Sequence, residues 1–147
     1  MLMFRGHKFD DSNITWHTLE GIENLHYHVY AVDETNKIVD VMFKFAANKQ
    51  VVLHRHHADY VTLVIQGELR INRTNGELKE VRPVGSYVAT AAGGEPHTDG
   101  AGDEDAIAFF SNRGQDGTIY EILDEQLNTV ATLGLQDFKG LLQAQSA

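Results

Sequence analysis

Between Leu25 and Ile122 the chain reads as short apolar runs of strand length, each ended by a turn signal, and that rhythm restricts it to an all-β architecture. Leu25 to Val32 alternates, Asp33 to Asn36 is a polar turn, and Ile38 to Phe45 runs back. Tyr60 to Ile65 is rich in β-branched residues and breaks at Gly67, as a strand entering a tight turn does. Glu68 to Asn72 forms the next run, and Asn75-Gly76 is the strongest short hairpin signal available. Val81 to Ala89 then leads through Ala92-Gly93-Gly94 into Glu95-Pro96-His97. Regular short strands separated by turns predict an antiparallel sandwich or barrel. Only the tail departs from this pattern. Leu135, Phe138, Leu141 and Leu142 recur at helical spacing and predict an amphipathic helix over about 134–145, packed on the barrel or on a second subunit.

Three histidines on these strands carry the chemistry. Successive side chains of a strand point to opposite faces, so His54 and His56 look the same way while Arg55 looks the other. Two neutral imidazoles form half of a tetrahedral or octahedral shell, and His97, from a separate strand, adds a third. Tyr60, Thr62 and Val64 share one strand face, so Thr62 and Val64 are expected to line the same cavity as Tyr60.

This ordering resembles the two signature motifs of the cupin superfamily: a His-x-His pair, a glutamate and a closing glycine, then a Gly-x-x-His segment on a later strand. His54 and His56 match the paired ligands, Gly67 the closing glycine, and Gly94-Glu-Pro-His97 the second segment. Tyr60 stands where the family has its glutamate ligand, Ala92 where it has a proline and Ala101 where it has an asparagine. The first departure removes a ligand, so the resemblance implies a site of three histidines, without the carboxylate. Tyr60 would then hydrogen-bond substrate or bound oxygen, ligate directly, or fill the volume of the absent glutamate.

More narrowly, the chain is similar to the small single-domain cupins related to 2,4'-dihydroxyacetophenone dioxygenase and acetylacetone dioxygenase, and to the cupin domains grouped with the anti-sigma factor ChrR. The residues that carry this are His54-Arg-His56-His57, Thr62-Leu63, Gly85-Ser-Tyr-Val88, Pro96-His97-Thr98, Ala108-Phe109-Phe110-Ser-Asn112 and Gly117-Thr-Ile-Tyr120. The resemblance implies one jelly-roll domain with a core over about 16–132, a homodimer, and one divalent metal on His54, His56 and His97. Fe(II) is the expected ion, with Zn(II) or Ni(II) able to displace it in purified protein.

Three neutral ligands leave the ion its full charge and two or three open positions, which suits a small substrate that binds as a bidentate anion. An enolised diketone or aryl hydroxyketone is such an anion, and the implied reaction is oxidative cleavage of a carbon-carbon bond. A Zn(II) site would instead act as a Lewis acid or generate hydroxide. Two other readings stay open. One is a non-catalytic metal- or ligand-binding module related to the ChrR domain, although this chain lacks the Cys- and His-rich zinc segment attached to that domain. The other is an isomerase-like cupin using histidine as a base without metal.

Composition narrows the classes further. A chain of 147 residues is expected to form one domain. A net charge of -9 with no cluster of Lys and Arg speaks against nucleic acid as a partner. With no cysteine, any metal must be held by nitrogen and oxygen, and a reducing cytoplasm is the default compartment. The amino terminus lacks the apolar core of a signal peptide, and no stretch approaches the roughly 20 apolar residues of a membrane span, so a soluble protein is expected. Among the other histidines, His57 should face away from the pair, and His26 and His28 form a second His-x-His without a third partner. His7 and His17 have no assigned role. Asp59, Asp99 and Glu95 are the nearest carboxylates; each could add a ligand, but loop carboxylates of this kind usually carry solvated charge.

Overall fold

The computed structural model describes residues 9–114 and 117–146; His7 and most of the amino-terminal segment lie outside the described residues. The chain forms strands β1 (Leu25–Asp33), β2 (Ile38–Phe45), β3 (His54–His56), β4 (Asp59–Gln66), β5 (Glu68–Asn72) and β6 (Leu78–Pro83). There follow β7 (Tyr87–Thr90), β8 (Thr98–Ala101), β9 (Ala106–Arg113), β10 (Thr118–Leu123), β11 (Thr129–Gly134) and helix α1 (Leu135–Gln145). All strand pairs are antiparallel. One sheet has the order β1-β2-β9-β4-β7, a second β11-β10-β3, and a third β6-β5-β8.

The alternation seen in the sequence becomes the inward and outward faces of these strands. On β4, Tyr60, Thr62 and Val64 are buried while Val61 and Leu63 are less so. Central β9, between β2 and β4, is buried almost throughout. Phe43, Phe45, Phe110 and Tyr120 meet at the middle of the core, with Phe43 edge-on to both Phe110 and Tyr120. Pro83 falls at the end of β6, an edge strand, where its missing N–H costs no ladder bond.

Two glycines decide how closely the strands approach. Gly67 has φ +68°, and a Cβ there would lie 2.9 Å from the Asp105 carbonyl, so the β4–β5 turn requires glycine. Gly100 on β8 is tighter: a Cβ would sit 2.1 Å from the Lys49 carbonyl. Its bare Cα lets the segment before β3 cross β8, where Val51 N–H donates to the Asp99 carbonyl at 2.7 Å.

The helix packs on the barrel of its own chain. Leu135 and Phe138 are buried in the core cluster, and Leu141 and Leu142 lie partly buried against it. At its end, the Gln145 side chain accepts from Val29 N–H at 2.8 Å and donates to Val29 C=O at 2.9 Å. That amide satisfies backbone groups on β1, an edge strand. Among the described residues, no helix is long and apolar enough to cross a membrane.

Candidate metal centre

Two pairs of residues, each with i, i+2 spacing, face one another on neighbouring strand segments. His54 and His56 point inward from β3, which pairs with β10 through Ile122 and Tyr120. His97 and Asp99 point inward from the start of β8, and His54 and His97 exchange both backbone hydrogen bonds at 3.0 Å. Because side chains two apart share a face, this one backbone bridge brings all four donors together.

The donor atoms converge closely. His54 Nε2 lies 3.2 Å from His56 Nε2, which lies 3.3 Å from His97 Nε2. Asp99 closes the figure, with Oδ2 3.2 Å from His54 Nε2 and Oδ1 3.4 Å from His97 Nε2. All four side chains are buried. Adjacent donors around an ion with bonds near 2.1 Å lie about 3.0–3.4 Å apart, so the spacing fits one ion held by four ligands.

The tautomers fit as well. His54 Nδ1 sits 2.9 Å from the Val52 carbonyl and His97 Nδ1 3.3 Å from that of Glu95. A carbonyl only accepts, so both Nδ1 atoms carry the proton and both Nε2 atoms turn a lone pair to the centre, the orientation metal-ligating histidines take. Burial lowers the proton affinity of His56 strongly, reinforced by the charge of His54, and burial lowers that of His97 too. Burial also works against a charged His54, but the hydrogen bond and charge of Asp99 outweigh it and raise its pKa. Despite its own burial, Asp99 is held well below the usual carboxylate range by His54 and the other two imidazoles. A metal ion needs an anionic carboxylate and neutral imidazoles: Asp99, His56 and His97 are shifted toward that state, and His54 is the ring that would give up a proton on binding.

Of the three carboxylates that could add a ligand to the expected histidine set, the structure brings Asp99 to it. It lies on β8 and is 5% exposed, and it carries no solvated loop charge. Its signal was present as His97-x-Asp99, the same parity as His54-x-His56. Asp59 and Glu95 do behave as exposed charges: Asp59 accepts from Ala92 N–H and Glu95 pairs with Arg73.

Tyr60 stacks on His56 with ring centroids 3.8 Å apart and planes 13° from parallel. Burial pushes its phenol up to about 12, so it stays protonated near neutral pH. Tyr120, which the sequence reading left without a role, stands edge-on to both His54 and His56 and donates its hydroxyl hydrogen to Asn112 Oδ1 at 3.2 Å. His57 points outward to Glu121, and His26 is exposed. His28 Nδ1 lies 2.9 Å from the Thr15 carbonyl, and its ring stands near that of His17.

Two cavities open on the cluster. A narrow apolar one meets His54 and Asp99 and is walled by Phe43, Phe110, Tyr120 and Phe138. A more polar one meets His56, Tyr60 and His97 and is also lined by Lys79, Glu80 and Arg82. Thr62 and Val64 border neither of these two, contrary to expectation. The Thr62 hydroxyl accepts from Arg82 Nη1 at 2.9 Å, and Val64 is packed into the core cluster.

No protein-family model and no curated protein matches the sequence. Solved structures do match in shape. An RmlC-like cupin protein from Ralstonia eutropha superposes with a TM-score of 0.75 at 18% identity, over 92% of this chain and 83% of that one. This chain has the cupin fold. An acetylacetone dioxygenase from Acinetobacter johnsonii shares the cupin fold with a TM-score of 0.71 at 12% identity, over 98% and 94% of the two chains. The anti-sigma factor ChrR, in complex with SigE from Rhodobacter sphaeroides, matches with a TM-score of 0.54 at 19% identity, over 67% of this cupin and 48% of that chain.

Proposed function

We propose that this chain is a metal-dependent cupin oxygenase that binds Fe(II) through His54, His56, His97 and Asp99 and cleaves a carbon-carbon bond of a small diketone or hydroxyketone. The observation that carries this reading is the convergence of three imidazole Nε2 atoms and one buried carboxylate at 3.2–3.4 Å from their neighbours. A set of three nitrogens and one oxygen suits Fe(II) among the first-row ions, and also admits Zn(II) or Ni(II). Bound iron would supply Lewis acidity toward a chelating substrate and the redox chemistry that O2 requires.

The chain's own groups do the rest. The Val52 and Glu95 carbonyls hold the His54 and His97 rings in place, so the donor set is preorganised. Tyr60 limits the tilt of His56 by stacking on it, and its phenol, protonated near neutral pH, donates a hydrogen bond to a substrate oxygen in the polar mouth. The aromatic wall of the apolar cavity keeps water from the His54 side and offers a dry surface to an alkyl or aryl group. The likeness of fold to an acetylacetone dioxygenase supports this class of substrate.

Oxygen uptake by the Fe(II)-loaded protein, across a panel of diketones and hydroxyketones, tests the reading. Uptake with at least one member is expected, and none across the panel contradicts it. The likeness to ChrR favours a second reading, a metal- or ligand-binding module without turnover. That reading expects iron retained at one per chain, with no oxygen consumed.

A further inference from the structure

The polar mouth holds a buried cation with hydrogen-bonding capacity to spare. Arg82 is 7% exposed. Its Nη1 donates to Thr62 Oγ1 at 2.9 Å and its Nη2 to Glu80 Oε2 at 3.0 Å, while its buried Nε has no hydrogen-bond partner. A buried charged N–H without an acceptor is costly, and a group held in that condition beside a cavity is suited to a ligand. Arg82 borders the cavity that also meets His56, His97 and Tyr60.

The charged side chains lining this cavity are two cations, Lys79 and Arg82, and two carboxylates, Glu80 and Glu95. Glu80 is engaged by Arg82, and Glu95 by Arg73 at 3.2 Å. Lys79, on the same strand as Arg82, pairs with no carboxylate among the described residues. Lys79 is therefore a cation of the mouth without a carboxylate partner among the described residues, Glu95 is held by Arg73, and Arg82, paired with Glu80, keeps an unpartnered Nε.

We propose that this mouth is a carboxylate-binding subsite in which Arg82 and Lys79 hold the acid group of a substrate whose ketone oxygens face the metal centre. The inference rests on the metal-centre reading above and narrows it: the substrate is a diketone or hydroxyketone that also carries a carboxylate. Arginine suits this role because its planar fork matches a carboxylate and its charge-assisted bonds are roughly twice as strong as neutral ones. Thr62 serves by anchoring the guanidinium.

The test uses Zn(II)-loaded protein, so that binding is read without turnover, and two probes that share a diketone and differ in charge: succinylacetone and its methyl ester. Calorimetric titration is expected to give at least about tenfold tighter binding of the acid. In Arg82→Gln that preference should fall to near unity while ester affinity holds. Lys79→Gln, at an exposed position, should reduce it in part and serves if the Arg82 variant fails to fold. Equal binding of acid and ester by the wild type, or a preference that survives every folded variant, overturns the subsite. Zinc content is measured on the same samples. A chain that takes up no zinc refutes the metal reading, and the acid-to-ester ratio on that metal-free protein still decides the subsite.

Discussion

Asp99 Oδ2 lies 3.2 Å from His54 Nε2, so a carboxylate on β8 joins the histidine group in which Tyr60 offers none. Three imidazoles and one carboxylate thus stand together as a group that could hold one metal ion. Tyr60 stacks on His56.

Replacing Asp99 by Asn keeps the shape and removes the charge. We expect metal affinity to fall at least about tenfold, and further in Asp99→Ala, measured by competition with a chelator of known affinity. Unchanged affinity would reduce Asp99 to a group that only orients His54 and His97.

Tyr60→Phe retains the ring stack and loses the hydroxyl. Metal content should stay at the wild-type level while turnover falls by about tenfold or more, the loss of one hydrogen bond to a reacting oxygen. Tyr60→Ala, which removes the stack as well, should weaken metal binding too. Equal metal loss in both variants would point to a structural role for the hydroxyl.

The pairing of β3 with β10 carries a pH-sensitive contact on its outer face. Glu121 on β10 joins Arg55 at 3.1 Å, His57 at 2.8 Å and the Thr129 hydroxyl, clasping β3 from outside. Chiefly because of the Thr129 and His57 hydrogen bonds, its pKa is depressed to about 2 from an ordinary 4.5. A depressed carboxylate stabilises the fold above its unfolded pKa, and the contribution is lost as pH falls from about 4.5 toward 2. Glu121→Gln should therefore flatten the acid limb of the stability curve in chemical denaturation, leaving behaviour above pH 5 little changed in slope. An unaltered acid limb would show that the clasp contributes nothing.

Gly100 and Gly140 make opposite forecasts for one added methyl. At Gly100 a Cβ meets backbone at 2.1 Å, so Gly100→Ala should cost about 1–3 kcal/mol or more and disturb Asp99 beside it. At Gly140, within α1, nothing lies within 4 Å, so alanine should stabilise by about 0.5–1 kcal/mol. Denaturant melts of both variants check the pair.

The strand rhythm, the turns at Gly67 and Asn75-Gly76, and the helix at Leu135 were legible because they follow from local periodicity and backbone preference. His54 and His56 were legible for the same reason. Asp99 was not, because a lone acid between Thr98 and Gly100 looks like solvated charge until the His54–His97 bridge buries it. Thr62 and Val64 carried the right parity but not the right neighbours: Arg82, arriving from β6, takes the Thr62 hydroxyl. Such pairings depend on how separate sheets meet, and no spacing along the chain encodes them.

Elemental analysis of untagged protein loaded with Fe(II), beside His97→Ala and Asp99→Ala, tests the four-donor centre most directly. The account predicts about one metal ion per chain in the wild type, abolished in His97→Ala and reduced in Asp99→Ala. Wild-type protein that takes up no metal, or a His97→Ala variant that binds it equally well, would contradict the centre described here.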